Sequence, residues 1–242
     1  MYKGIYIAAS GAVLMQSQLE TISQNIANAN TTGYKKDTLS FKEYLLQTDA
    51  GGDPDGRVMS DFSGSRTDLS SGTIVRTGNS LDIAVEGTGF IALEGGRFTR
   101  RGDLQKNSDG YLTTHEGTRV LGAGGPIALP ADSVQISIDL EGKISVVQAG
   151  STLPTEIDTI KIVDAGPNGS VVKAGDGVYT FSGDATAATG SIKQGYLETS
   201  NVDSVKEMVR MIDTMREFES FQKAIQMFDS ATSKVTNELG RF

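Results

Sequence analysis

The 242-residue chain carries 22 basic and 30 acidic side chains, a formal net charge of −8, 38% hydrophobic residues, and neither cysteine nor tryptophan. Such a length and apolar content support one large domain or two small ones, while the missing cysteine excludes disulfides and thiolate metal sites. No segment offers the basic field that draws nucleic acid or an anionic membrane surface, and no run approaches the roughly 20 apolar residues of a membrane span.

The front of the chain reads as a helix. Ala8, Ala12, Met15, Leu19, Ile22 and Ile26 recur at spacings of 4, 3, 4, 3 and 4 and fall on one seam. Its other faces carry Gln16, Ser17, Gln18, Thr21, Ser23, Gln24 and Asn25, with Glu20 as the one ionised side chain among them. Uncharged polar faces are buried against other subunits without desolvating ions. The helix is expected to close in Ala27-Asn28-Ala29-Asn30-Thr31-Thr32-Gly33, with Asn30 and Gly33 as cap residues, since both types tolerate the left-handed conformation. A secretory signal is disfavoured because Ser10 and Gly11 interrupt the apolar run, no A-x-A site follows, and the heptad continues to Ile26. Residues 1–33 are therefore assigned to an N-terminal assembly helix. Residues 34–77 are expected to be a connector, with a short amphipathic piece (Phe41, Tyr44, Leu45, Leu46) before a Gly/Asp-rich stretch.

Of the 29 glycines, 25 lie between Gly51 and Gly195, together with all five prolines, which argues against long helices there. Short apolar or alternating runs fill the middle: Leu81 to Val85, Phe90 to Leu93, Val134 to Leu140, Lys143 to Val147, Ile157 to Val163, and Val178 to Phe181. Each is bounded by turn chemistry such as Thr77-Gly78-Asn79, Asp109-Gly110 or Asn168-Gly169, and Glu141-Gly142 is the best hairpin turn. Residues 78–195 thus read as a central all-β domain of many short antiparallel strands.

The last segment, 196–242, is read as a C-terminal assembly helix. Ser200-Asn201 and Asp203-Ser204 offer N-cap oxygens, and Ser204 and Glu207 have capping-box spacing just before an apolar stripe. Val205, Met208, Ile212 and Met215 run at 3, 4, 3; Phe218, Phe221, Ile225, Phe228, Thr232, Val235 and Leu239 run at 3, 4, 3, 4, 3, 4. The step from Met215 to Phe218 is one residue short of phase, so a local overwinding is expected there. The fold class is then mixed: terminal α-helices forming a coiled-coil-like helical layer, and a central β domain. Ordering about 26 front-helix residues costs about 1–2 kcal/mol each, and six stripe residues return about 1.5–3 kcal/mol apiece at best. One partner helix leaves little margin, so burial by further subunits is expected.

Chemistry is sparse. His115 stands in a turn-like context with no second histidine. Gly87-Thr88-Gly89 lacks the third glycine and the helix of a dinucleotide fingerprint, Gly122 to Pro126 lacks the Lys-Ser/Thr of a phosphate loop, and Asp53 to Gly56 lacks the later ligands of a calcium loop. No catalytic residue, cofactor or metal is expected.

Three stretches carry a resemblance. Ala8 to Gly11 with Ile22 through Lys35 (Ile-Ser-Gln-Asn-Ile-Ala-Asn-Ala-Asn-Thr-Thr-Gly-Tyr-Lys) is similar to the N-terminal signature of the axial proteins of the bacterial flagellum, the rod and hook group. Leu69 to Gly72, Arg76 to Phe90 and Phe98 to Gly102 resemble the β region that rod and hook proteins share. Gly195 to Asp203 and Glu207 to Glu219 are similar to their C-terminal signature. The resemblance implies a non-enzymatic structural subunit of the basal-body rod, in the periplasm, exported unfolded through the flagellar type III apparatus without signal cleavage and assembled helically around a central channel. Its partners would be copies of itself and other rod proteins, with no nucleic acid and no membrane insertion. The chain length and the opening Met1 to Tyr6 point to a proximal rather than a distal rod position. The competing class is a secreted β-domain enzyme or carbohydrate-binding protein with oligomerisation helices; paired carboxylates or clustered surface aromatics on strands would mark it.

Overall fold

The structure, a computed structural model, describes residues 2–45, 58–166, 170–175 and 177–239. Leu46, the stretch from Asp53 to Gly56 and the Asn168-Gly169 turn lie outside the described residues, as do the side chains of Phe41, Tyr44, Leu45, Val235 and Leu239. Two compact units are present, one made of Met1–Ala27, Asp37–Asp68 and Asp203–Phe242, the other of Asn28–Lys36 and Leu69–Val202.

The first unit contains both long helices, α1 (Tyr2–Ala27) and α2 (Ser204–Leu239), and two strands, β1 (Asp37–Leu45) and β2 (Val58–Thr67). The strands pair antiparallel from Asp37↔Thr67 to Leu45↔Val58, with a register shift after Ser40. Half of the expected connector is therefore a hairpin. Its alternation is visible in Thr38-Leu39-Ser40-Phe41-Lys42, a run too polar to stand out beside the central strands.

Helix α1 packs antiparallel on α2. A Cβ added at Gly4 would lie 2.8 Å from the Phe228 ring and one at Gly11 would lie 2.6 Å from the Phe221 ring, so each glycine is a hole for a phenylalanine two turns from the next. The buried line on α1 runs through Ala8, Ile22 and Asn25, one residue to the side of the predicted seam at its end; Ala12, Met15, Leu19 and Ile26 are half-buried. Asn25 takes the place expected for Ile26 because its amide is satisfied twice by the start of β1: Nδ2 donates to the Asp37 carbonyl (2.9 Å) and Oδ1 accepts the Asp37 N–H (3.0 Å).

On α2 the inner line is Glu207, Met211, Thr214, Phe218, Phe221, Ile225, Phe228 and Thr232, all buried or half-buried at spacings of 4, 3, 4, 3, 4, 3 and 4. This corrects the sequence reading. The phase is unbroken, the helix is α throughout, and Val205, Met208, Ile212 and Met215 are exposed on another face. Apolarity misled because the true line passes through Glu207 and Thr214, a buried carboxylate and a buried hydroxyl. Of the candidate caps Asp203 is the one used, in place of the Ser204–Glu207 capping box. Asp203 accepts the Lys206 N–H (3.1 Å), and the Lys206 backbone N–H and ammonium hold its carboxyl below the ordinary range. Ser204 is already the first helical residue, and Glu207 pairs with Arg210 (3.1 Å) instead of reaching back.

The second unit is a set of short antiparallel strands. A six-stranded sheet runs Ser170–Gly175, Val178–Ser182, Arg97–Thr99, Phe90–Leu93, Ile162–Asp164, Thr186–Ala187 in spatial order, and a three-stranded sheet runs Thr155–Thr159, Lys143–Gln148, Ser133–Ile138. Two-stranded pairs join Ile83–Glu86 to Ser191–Gln194 and Ile74–Arg76 to Tyr196–Glu198. The Glu141-Gly142 hairpin is present: Gly142 has φ +86°, and the Asp139 carboxylate accepts the N–H groups of Glu141 and Lys143 (both 2.9 Å). Ile83, Val85, Ile91, Leu93, Val120, Ile144 and Val146 close one core beneath these sheets.

Candidate functional site

Two features stand out, one on the surface of the helical unit and one inside the β unit. On α2, Val205, Met208, Val209, Ile212 and Met215 share one face and are each 48–69% exposed. Among the described residues of α1 the exposed large apolar side chains are Tyr6, Ile7 and Val13, in the first half of that helix. Because the helices are antiparallel, the two patches lie at opposite ends of the pair. Between Gly4 and Leu19 α1 has no charged residue, whereas Lys206, Arg210, Asp213 and Arg216 flank the α2 patch.

Inside the β unit, one carboxylate gathers the chain. Glu198, at the end of the Tyr196–Glu198 strand, is 1% exposed; its Oε1 meets Lys35 Nζ (2.6 Å) and the Gly72 N–H (2.8 Å), and its Oε2 meets Arg100 Nε (2.7 Å). Burial pushes the Glu198 carboxyl up, but Arg100 and Lys35 together outweigh it and hold the group below the ordinary glutamate range. Lys35 Nζ also donates to the Ser70 carbonyl (2.8 Å). Arg100 also donates from Nη2 to the carbonyls of Val85 (3.0 Å) and Gly87 (2.6 Å) and from Nη1 to that of Gly89. The glycine turn that looked like half of a dinucleotide fingerprint is thus a carbonyl cradle for an arginine.

Backbone bonds hold the two crossing segments to the same place. Gly33 N–H donates to Glu198 O (2.8 Å) and Asn201 N–H to Tyr34 O (3.3 Å), while Asn201 Oδ1 accepts the Lys36 N–H (2.7 Å) and Asn201 Nδ2 donates to Ser70 O (3.2 Å). Gly33 is left-handed at φ +65°, as expected, but α1 already ends at Ala27. Gly33 instead belongs to the turn closed by Tyr34 N–H to Thr31 O (3.3 Å), and a Cβ there would lie 2.5 Å from the Arg100 carbonyl carbon. Asn30 is exposed in the preceding turn.

Of the predicted assembly residues, Ala8 and Ile22 are buried, and Ala12, Met15, Leu19, Ile26, Phe218, Phe221, Ile225 and Phe228 are half-buried in the helix pair; Val205, Met208, Ile212 and Met215 are exposed. His115 is exposed in its turn. Among the described residues no group of three metal-ligating side chains occurs. Sequence reasoning missed the Lys35–Glu198–Arg100 cluster. Its members are 65 or more positions apart, and lone charges in polar surroundings give no periodic signal.

Comparison with known proteins yields three family matches in chain order: Flagella basal body rod protein over residues 5–35, Flagellar hook protein FlgE/F/G D1 domain over 84–146, and Flagellar basal body rod FlgEFG protein C-terminal over 193–238. Lys35, Arg100 and Glu198 fall one in each matched segment. These are matches to the flagellar hook and rod class. The chain is 35% identical to flagellar basal-body rod protein FlgG of Bacillus subtilis, over 98% of this chain and 99% of the relative. It is 32% identical to FlgG of Borreliella burgdorferi over all of both chains, and 29% identical to FlgF of Caulobacter vibrioides over 100% and 99%. The chain belongs to the flagellar basal-body rod protein family.

Proposed function

We propose that this chain is a structural, non-enzymatic subunit of the flagellar basal-body rod that polymerises through its terminal helices with copies of itself and with other rod proteins, transmitting torque and enclosing the export channel. The observation that carries the reading is the α2 face Val205, Met208, Val209, Ile212 and Met215, an apolar surface on an already paired helix. The inner line from Ala8 to Ile26 and from Phe218 to Phe228 joins α1 to α2 in a coiled-coil-like layer, and the outer face meets neighbours. An α2 patch set antiparallel on its own copy about Arg210 brings two guanidinium groups together, whereas the charge-free stretch of α1 from Gly4 to Leu19 accepts it without conflict. The contact is therefore head to tail, the kind that continues as a filament. The periplasmic location and export without cleavage through the type III apparatus are part of the same proposal. The identities run slightly higher to FlgG than to FlgF, so the proposal is made for the rod as a whole.

The chain has no cysteine, which makes the test clean. Val13→Cys and Ile212→Cys, produced together and oxidised in isolated basal bodies, should form a mixed disulfide between copies. Self-linking of Ile212→Cys alone, or no link in basal bodies that contain both variants, would overturn the head-to-tail contact. Absence of the chain from basal bodies would overturn the rod reading itself.

A further inference from the structure

The inner line of α2 turns two polar residues, Glu207 and Thr214, into the helical unit, and both border one cavity of about 390 Å³ walled by α1, the start of β1 and α2. Each is 3% exposed. Of the Glu207 carboxylate only Oε1 is engaged, by Arg210 Nη1 (3.1 Å). Its second oxygen and the Thr214 hydroxyl make no hydrogen bond among the described residues, and neither is sealed off, so both open into the cavity that their residues line. Asp213 and Glu217 stand on the same wall, again with no hydrogen bond or ion pair among the described residues. Asp37, also on the wall, accepts from Thr67 Oγ1 (2.7 Å). With Arg210 paired to Glu207, Asp213 and Glu217 are two carboxylates at the cavity with no cation of their own.

Open carboxylate oxygens call for a cationic donor. Among the described residues no three ligating side chains are grouped for a metal ion. The open acceptors are also spread out: Glu207 and Thr214 are seven residues apart, about 10 Å of helix. A planar guanidinium carries five N–H groups on several sides and reaches spread acceptors better than a point-like ammonium. We propose that this cavity receives the arginine side chain of a neighbouring subunit, its guanidinium held by the open oxygens of Glu207 and Thr214 and drawn in by Asp213 and Glu217. The source of the arginine rests on the rod reading; the cavity and its charge do not. The same assignment accounts for the polar inner line. Within one subunit, a buried hydroxyl without a partner and a buried carboxylate with one oxygen open add no stability that apolar residues of similar volume would lack. Their use lies in what they receive.

The test has an arm for the cavity and an arm for its occupant, both on the full chain. Titration with argininamide, followed by NMR at the Gln18 side-chain amide and the Thr214 methyl, should give a saturable shift. Asp213→Asn/Glu217→Gln, which breaks no contact inside the subunit, should weaken that binding about tenfold or more. Tetramethylammonium, a cation without N–H donors, should produce no such shift. Absence of a saturable shift, or an equal response to tetramethylammonium, overturns the site. In cells, a photo-cross-linking phenylalanine analogue at Gln18 should capture a neighbouring rod subunit through a segment that contains arginine. Thr214→Val should enter basal bodies about tenfold less well while its unfolding midpoint stays unchanged or rises, a split that a purely structural hydroxyl would not give. Capture of a segment without arginine, or normal incorporation of both Thr214→Val and Asp213→Asn/Glu217→Gln, overturns the neighbour's arginine as the occupant. A saturable argininamide site in a chain absent from basal bodies leaves the cavity standing and overturns the rod reading.

Discussion

Gly11 offers a sharp test of the helix pair, because two effects of known size oppose each other there. Replacing a helix-interior glycine by alanine gains about 1 kcal/mol of helix propensity. Against that, the new Cβ would stand 2.6 and 2.7 Å from Cε1 and Cζ of Phe221, where carbon atoms settle at about 3.5–4.0 Å. The ring must retreat by about 1 Å within a half-buried seam, and overpacking of this kind costs about 1–3 kcal/mol. Gly11→Ala is therefore expected to be neutral to destabilising by about 2 kcal/mol, and Gly11→Leu much worse. Helix melting followed by circular dichroism at 222 nm measures it, with Gly11→Ala/Phe221→Leu as the control in which room is restored and the propensity gain emerges. A full stabilisation by Gly11→Ala alone would show that Phe221 does not fill the hole at Gly11, and the antiparallel register Gly4–Phe228, Gly11–Phe221 would fall with it.

Other expectations follow from the junction and the turns. Glu198 has a depressed carboxyl pKa, so its contribution to stability is complete above the ordinary glutamate value near 4.5 and disappears as pH falls through the lower folded value. Lys35→Met should shift that acid loss to higher pH, read from pH-dependent unfolding; an unchanged acid transition would mean that Lys35 does not govern the carboxylate. Gly33 and Gly117 are both left-handed, but only Gly33 faces backbone within 4 Å. Gly117→Ala should thus cost about 1–2 kcal/mol and Gly33→Ala distinctly more by urea unfolding, and equal costs would remove Gly33 from the Arg100 backbone. Asn25→Leu, which removes both side-chain bonds to the Asp37 backbone, should cost about 2–3 kcal/mol in the helical unit; a neutral result would show that those two bonds do not hold the start of β1 to α1. Ile212→Asp, on the exposed face, should leave the fold intact by circular dichroism yet abolish motility, and normal motility would discard that face as a contact.

How much of this was legible in the sequence depended on whether periodicity or pairing carried the information. Phe90 to Leu93 and the hairpin at Glu141-Gly142 were readable because short apolar runs and turn residues are local signals, and both occur where expected. The two helices were readable for the same reason. The rotation of their buried lines was not, since Asn25, Glu207 and Thr214 are polar residues that nonetheless face inward, Asn25 through its two bonds to Asp37 in β1. A stripe count assigns inside to whichever face is most apolar, and on α2 that face is the exposed one over Val205 to Met215.

That inversion has a physical reason that bears on function. A helix whose apolar face were wholly spent on its own subunit would have nothing to offer a neighbour, and one with polar residues on every outer face would have no reason to bind one. With Glu207 and Thr214 on the inner line of its first half, and Phe221 and Phe228 seated in the glycine holes of α1 in its second, α2 leaves Val205, Met208, Ile212 and Met215 exposed. The junction in the β unit works in the same direction. Lys35, Gly72, Arg100 and Glu198 satisfy one another without any surface apolar group, so the β unit reaches completion from its own residues. Internal folding and external contact thus draw on different side chains. Substitutions at Val205, Met208, Ile212 or Met215 should then change association while leaving monomer stability within about 0.5 kcal/mol, as surface changes do. Sedimentation and urea unfolding on the same Met208→Ser protein would decide it: loss of monomer stability well beyond that value would mean that the exposed face is supported from within the subunit, and that the division between fold and contact does not hold.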